Sequence, residues 1–425
     1  MRTFRRGPPW LAIRRSGLLL RDRDLPNVYD IVLLSTADWD NPFWTNKQHV
    51  ACELARTGHR VLYVESLGLR RPSASAQDMG RLWRRLKRGL TPPRQVRPNL
   101  WVWSPLVVPL QRFALVRGLN RLLVQGGLKL WSMVLGLKPT LLWTYNPMTV
   151  RFVSLARYAQ TVYHCVDEIK AQPGMPVQEI ERAEGELMAQ VGLCFVTAEH
   201  LLETRRQQNP RTYYFPNVAE FDHFAAARSE ALAVPADLAA LPGPRIGFIG
   251  AISGYKVDFP LLRRMAEAHP EWSIVLIGKV GEGDPWTDVS TLQDLKNLHF
   301  VGPRPYAQLP AYLKGFDVAI LPSMINEYTR GMFPMKFFEY LAAGRPVVST
   351  QLHALQAYGH VAFLADDHAA FITGVEQALA GQVVPLEARL DAARDQTYER
   401  RTARMMALLP GGAGSVVATQ PSATP

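Results

Sequence analysis

Gly331-Met-Phe-Pro-Met-Lys336-Phe-Phe-Glu339-Tyr-Leu-Ala-Ala-Gly-Arg-Pro-Val-Val348 is the stretch from which the fold is read. A glycine and a proline precede an apolar run carrying Lys336 and Glu339, so the spacing predicts a helix opening at about Met335. Upstream, the apolar run Val318–Leu321 reads as a buried strand that feeds the loop Pro322–Pro334. A strand, a loop and a helix start offer unpaired N–H groups and a positive dipole end, which suit a diphosphate. Gly331 lets the backbone come close to a ligand, with Met332 and Phe333 beside it, and Arg330 and Lys336 add positive charge. Glu339 stands within the first turn or so. There it either accepts two ribose hydroxyls or is a surface charge on an ordinary amphipathic helix.

Working outward, the same half of the chain alternates strand and helix patterns, with strands at Arg245–Ile249, Ser273–Ile277, Leu298–Val301, Pro346–Ser349 and Val361–Leu364. The first is followed by Gly250-Ala-Ile-Ser-Gly-Tyr-Lys256. This is a glycine-bearing turn where Lys256 is either a point charge for phosphate or a solvated lysine. Gly302-Pro-Arg304-Pro-Tyr306 follows the third strand, and Arg304 is a second candidate for bridging phosphates.

The first half has its own series: Tyr29–Thr36, Arg60–Glu65, Leu100–Ser104, Thr140–Tyr145, Thr161–Cys165, Gly192–Thr197 and Thr212–Phe215. A helix over Thr45–Arg56 closes at Gly58. Alternation of this kind implies a doubly wound parallel sheet. At 425 residues the chain exceeds the ~250–300 at which one core stops growing, so two α/β domains are expected. The division reads as a basic extension (1–27), a first domain (28–222), a linker (223–244), a second domain (245–385), a crossing helix (386–409) and a flexible tail (410–425). Two such sheets would face each other across a cleft at their strand C-terminal ends. Asp38 and Trp39 end the first strand of the first domain, and His164 and Asp167 end its fifth. Asp167 is the polar group best placed for an acceptor hydroxyl or the transferred sugar, although a carboxylate there can also cap a helix.

Composition narrows the partners. The net charge of +11 is concentrated in Arg2–Arg23 and in Arg70–Arg97, where Asp78 is the only acid. Such clusters attract phosphate-rich partners. No nucleic-acid motif accompanies them, which favours an anionic membrane surface over nucleic acid. Met79–Leu90 places Leu82, Trp83, Leu86 and Leu90 near helical spacing among cations, either as an interfacial helix or as a solvated basic face. No run reaches the ~18 apolar residues of a spanning helix. Cys52, Cys165 and Cys194 have no paired spacing, which fits buried thiols in a reducing cytoplasm and no structural zinc.

The segment 247–350 resembles the retaining nucleotide-sugar glycosyltransferases of families 1 and 4. It does so through Ile246-Gly-Phe-Ile-Gly-Ala251, Phe300-Val-Gly302, Phe316–Ser323 and, most specifically, Lys336–Val348. The first half resembles the same group more loosely through Ala51–Val61 and Phe215–Phe221. The resemblance implies the GT-B fold, two Rossmann-like domains facing a central cleft. It casts Glu339 as the ribose-binding glutamate and Lys256 as a phosphate-binding cation, with Arg304 a replacement for the arginine that usually accompanies it. It also implies transfer with retention of configuration, no metal and no protein nucleophile. One departure is plain: the first glutamate of the family's E-x7-E pattern falls at Gly331, and Glu327 is the nearest carboxylate able to replace it. The expected function is therefore hexose transfer from a nucleotide sugar to a lipid-linked or polysaccharide acceptor at the cytoplasmic membrane face. The alternatives are a nucleotide-sugar epimerase or hydrolase, or a degenerate binding scaffold.

Overall fold

The computed structural model describes residues 28–41, 44–67, 89, 91–108 and 113–410. The basic extension, most of the second basic cluster including Met79–Leu90 (Gly89 apart), and the tail beyond Pro410 lie outside them. The first sheet contains β1 (Asp30–Leu34), β2 (Arg60–Val64), β3 (Arg94–Arg97), β4 (Leu100–Trp103), β5 (Leu141–Thr144), β6 (Gln160–Cys165), β7 (Leu193–Val196) and β8 (Thr212–Tyr214). The second contains β9 (Arg245–Ile249), β10 (Ser273–Ile277), β11 (Leu298–Phe300), β12 (Val318–Leu321), β13 (Val347–Thr350) and β14 (Phe363–Ala365).

The order β3-β4-β2-β1-β5-β6-β7-β8 reverses direction of travel between β1 and β5. The order β11-β10-β9-β12-β13-β14 does so between β9 and β12. Neighbours run parallel throughout, except that β3 is antiparallel to β4. Ligands of such sheets bind outside the carboxyl ends of strands at these reversal points. That places the loops after β1, β9 and β12 at the centre of any site. Both faces of each sheet are covered, which is why β1, β10 and β12 are buried along their whole length.

β3 is a strand that composition conceals. Arg94-Gln-Val-Arg97 has no apolar alternation, because a charged edge strand needs only one neighbour. Arg94 pairs with Asp40 at 2.5 Å, and the Arg97 guanidinium lies 5.4 Å from the Trp44 ring centroid.

The stretch 223–244 is packed. Phe224, Ala227 and Leu238 are buried with Leu313 and Phe316 of the second domain. Gly315 lies close against this stretch, since a Cβ there would stand 2.5 Å from Leu238 Cδ2 and push that side chain aside. The expected single helix over 386–409 is two. Leu386–Arg394 lies beside Lys336–Ala342, and Tyr398–Ala407 returns to the first domain beside Asn46–Arg56. The break comes at Thr397, which bridges Ala219 between the domains.

Helix Lys336–Ala342 ends by a double reverse bond, Gly344 N–H to Leu341 O at 2.9 Å and Arg345 N–H to Tyr340 O at 3.0 Å. That requires the left-handed φ of +75° at Gly344. A Cβ there would also meet Leu386 at 3.0 Å and Arg228 at 3.1 Å. Gly344→Ala should therefore destabilise the protein by about 1–2 kcal/mol, read as a lower urea midpoint at unchanged slope.

Candidate functional site

Three loops converge at the two reversal points. β9 and β10 end in glycines pressed together, since a Cβ on Gly278 would sit 1.7 Å from the Gly250 carbonyl oxygen. The turn after β9 is fixed to the loop after β12. Asn326 donates from Nδ2 to Tyr255 O at 2.8 Å and caps the short helix Glu327–Arg330 by accepting from Thr329 N–H at 3.0 Å. The rings of Tyr255 and Tyr328 meet edge to face at 4.9 Å, and the Lys256 ammonium lies 5.2 Å from both centroids. Across the cleft, Tyr328 donates to Asp167 Oδ1 at 3.2 Å. The second-domain cation and the first-domain carboxylate therefore face one site.

Helix Asn46–Arg56 follows β1. Its first residues Asn46, Lys47, Gln48 and His49 are all buried, although none is apolar. Gln48 Oε1 accepts from Thr45 N–H at 3.1 Å, closing the helix start. Burial pushes the Lys47 ammonium below the usual lysine range, with Asp167 opposing and Lys256 reinforcing. Lys47 and Lys256 are thus two cations about one carboxylate, a field prepared for a phosphate-bearing ligand.

Glu339 is the second focus. It is 3% exposed, and its Oε2 accepts from Lys336 Nζ at 2.7 Å. Burial raises its pKa, Lys336 draws it back, and His223 adds to that. Around it stand His223, stacked on Tyr306 at 4.7 Å, and His49, stacked on Tyr398 at 4.3 Å. A buried carboxylate with one lysine partner has acceptor capacity left for two hydroxyls.

A hydrogen-bonded chain ties this region together. Arg401 donates to Asn46 Oδ1 at 2.7 Å, Asn46 to Asn217 Oδ1 at 2.5 Å, and Asn217 to Phe333 O at 2.6 Å. It runs from the returning C-terminal helix through the first domain to the loop before Lys336. Phe333 acts here through its carbonyl. Its ring stacks on Phe338 and meets Tyr358, so the side chain belongs to the core and only the backbone of Phe333 is open to a donor.

Other sequence candidates fall as follows. Arg304 is committed to Asp237 at 2.7 Å and to Tyr312 Oη at 2.6 Å, which corrects its expected phosphate role. Trp39 is buried between Trp44 and Tyr63, with its backbone N–H donating to Glu65 Oε1 at 2.8 Å, and is a packing residue rather than an acceptor contact. His164 is fully buried on the Tyr145 ring, and neither ring nitrogen has a hydrogen-bond partner among the described residues, so it too leaves the acceptor side. Asp38 is half-buried in the loop after β1, Arg330 and Glu327 are exposed, and Met332 is half-buried. Gly331 is buried against the other domain, where a Cβ would meet Glu168 Cβ at 3.0 Å and Leu201 at 3.4 Å. Among the described residues no group of three or more His, Cys, Asp or Glu could hold a metal ion. The thiols are free, and burial pushes Cys165 up to about 12.

Two histidines impose a pH dependence. Burial, then Lys336 and Arg401, pushes His49 down to about 3, and burial pushes His164 well below its ordinary value. His49 is therefore neutral at pH 7, and its 3.6 Å approach to Glu220 is no ion pair. Both groups bind protons more weakly folded than unfolded. Stability is then complete above about pH 6.5 and falls as pH drops toward 3. At pH 5 the expected loss from His49 is roughly 2 kcal/mol, and His164 acts in the same direction. Thermal melts from pH 8 to 5 check this, and His164→Phe should flatten the profile; an unchanged profile would contradict it.

Residues 243–381 match the family described as Glycosyl transferases group 1. The putative teichuronic acid biosynthesis glycosyltransferase TuaH of Bacillus subtilis (strain 168) is 32% identical over 160 residues, which is 36% of this chain and 40% of that protein's length. Among solved structures, sucrose-phosphate synthase of Thermosynechococcus elongatus superposes with a TM-score of 0.63 at 16% identity, covering 88% of this chain and 97% of that one. Anabaena Alr3699/HepE in complex with UDP does so at 0.59 and 15% identity, covering 89% and 100%. Trehalose 6-phosphate synthase of Burkholderia multivorans does so at 0.60 and 13%, covering 89% and 98%. Their likeness is one of fold, and that fold is GT-B.

Proposed function

We propose, for a GT-B chain whose second domain matches the group 1 glycosyl transferases, that it transfers a hexose from a nucleotide sugar to a lipid-linked or polysaccharide acceptor. The observation that carries this is Glu339, a buried carboxylate at the reversal point of the matched domain with capacity for two ribose hydroxyls. Lys256 and Lys47 neutralise the diphosphate as it departs, and Asp167 orients the acceptor hydroxyl. In a retaining transfer the bond from the anomeric carbon to the diphosphate oxygen breaks. A bond to the acceptor oxygen forms on the same face, and the acceptor proton passes to the diphosphate. The two lysines supply charge stabilisation of the kind a metal otherwise gives, so turnover should persist in a chelator. The likeness to TuaH supports a cell-surface polysaccharide as the product class. UDP sugars are the first donors to test, because a structural neighbour carries UDP.

A binding scaffold is the second reading, favoured by the packing of Gly331 against Glu168 where the family places a glutamate. UDP, GDP and dTDP sugars offered with extracted membrane lipids separate the two. Labelled sugar appearing in lipid or polymer is the expected result. Nucleotide binding without product from any donor would favour the scaffold.

A further inference from the structure

The helix Ala114–Val134 is apolar on two sides. Asn120, Val124, Leu128 and Ser132 form the side buried on the first domain. Leu115, Leu119, Leu122, Leu130 and Met133 recur at i, i+4, i+7, i+15 and i+18, which puts them together on the opposite side. That side is open: Leu115 is 89% exposed, Leu122 71% and Met133 70%. A surface helix ordinarily turns charged residues outward, and single exposed leucines need no explanation, whereas a continuous row does.

The surroundings say what covers it. From Met79 to Val166 the sequence contains no aspartate or glutamate, while arginine and lysine recur throughout. Arg121 and Lys129 project from the helix itself, both exposed and without a partner among the described residues. Past its C-terminal end a groove of about 500 Å³ is lined by Lys129, Met133, Lys138, Arg157 and Tyr158. The apolar row thus runs into a cationic recess. No described helix is long and apolar enough to cross a bilayer, and the cations at Arg117, Arg121 and Lys129 bar this one from doing so. An apolar face with flanking cations lies in the plane of an interface, with leucines among acyl chains and cations at headgroup phosphates.

We propose that the outer face of Ala114–Val134, with the groove at its C-terminal end, docks the chain on an anionic phospholipid bilayer. This names the membrane partner in the function proposed above. It rests on that reading for the use made of docking, and on the helix alone for docking itself.

The test is flotation of the full chain with vesicles of phosphatidylcholine alone and of phosphatidylcholine mixed with phosphatidylglycerol. The wild type should float with the mixed vesicles and remain behind with phosphatidylcholine. Leu119→Glu/Leu122→Glu/Met133→Glu should lower the floated fraction about tenfold or more, because three apolar contacts are lost and three anionic charges gained. Arg121→Glu/Lys129→Glu should lower it at low salt while leaving the apolar row intact. All these residues are exposed, so a circular-dichroism melt like that of the wild type is expected. Equal flotation with both vesicle types, no flotation, or flotation indifferent to the triple substitution would overturn the proposal. So would a wild-type dimer, seen by light scattering, that the triple substitution makes monomeric, since the face would then belong to a second copy. UDP titrated into the same preparations keeps the two readings apart: flotation without nucleotide binding leaves docking standing and removes the transferase reading.

Discussion

Replacing Glu339 with alanine should weaken nucleotide binding about a hundredfold and lower kcat/KM for the donor by a similar factor. Two hydrogen bonds from hydroxyls to a buried carboxylate held on Lys336 contribute together about 3 kcal/mol, because each is shielded from water. Glu339 is 3% exposed and has Lys336 as its hydrogen-bond partner, so its remaining lone pairs are held ready without solvent competition. The truncation also leaves Lys336, half-buried, without its carboxylate. Glu339→Gln keeps the volume and one acceptor, and should lose less. Calorimetric titration with UDP and a UDP sugar reads both variants. Affinity unchanged by Glu339→Ala would mean that ribose is held elsewhere.

Arg205→Met should lower the free energy of unfolding by about 3–5 kcal/mol. The Arg205 guanidinium, 5% exposed, donates to both oxygens of Glu168 at 2.8 Å and to both of Glu184 at 3.0 and 3.1 Å. Glu184 also accepts from Tyr163 Oη at 2.7 Å. Methionine fills much of the space but removes the cation that bridges two buried carboxylates. Their charge is then removed only by protonation or by opening the structure. The effect should reach the cleft, because Glu168 is the wall against which Gly331 lies. Urea unfolding measures the loss. The triple substitution Arg205→Met/Glu168→Leu/Glu184→Leu should recover most of it, since an apolar replacement of a whole buried charge cluster is often neutral. A loss that persists in the triple variant would show that the cluster's packing, not its charge balance, carries the stability.

The same wall accounts for the missing glutamate. The sequence shows only that Gly331 breaks a family pattern. In the structure Gly331 is where one domain touches the other, with a Cβ position 3.0 Å from Glu168 Cβ. Spacing along one domain carries no information about what the other presses against it. His164 and Trp39 teach a related lesson. Trp39 lies in the turn beyond β1 and packs on Trp44 and Tyr63, whereas His164 stands within β6, where neighbours along a strand point to opposite faces. His164, opposite Phe195 in the parallel register, therefore points into the aromatic core, while Asp167 beyond the strand end reaches the cleft.

Strands buried on both faces were the most legible elements, β9, β10 and β12 above all, because an unbroken apolar run has few other uses. β3 was hidden, since an exposed edge strand of Arg94, Gln95, Val96 and Arg97 meets no burial requirement. The break at Thr397 follows from a bridge to Ala219, a partner far away in sequence. Asn46-Lys-Gln-His49 is a run of polar residues at the start of the helix after β1, where an ordinary amphipathic helix would alternate. Polar residues buried at a reversal point are the groups that a cleft spends on a ligand.

The central claim is that Glu339 holds the ribose of a nucleotide sugar, with Lys256 and Lys47 at its diphosphate. A crystal structure of the protein with UDP or a UDP sugar tests it most directly. Both ribose hydroxyls should lie within hydrogen-bond distance of the Glu339 carboxylate, with the phosphates beside the loop after β9. Nucleotide bound away from that carboxylate, with Glu339 left only on Lys336, would contradict it.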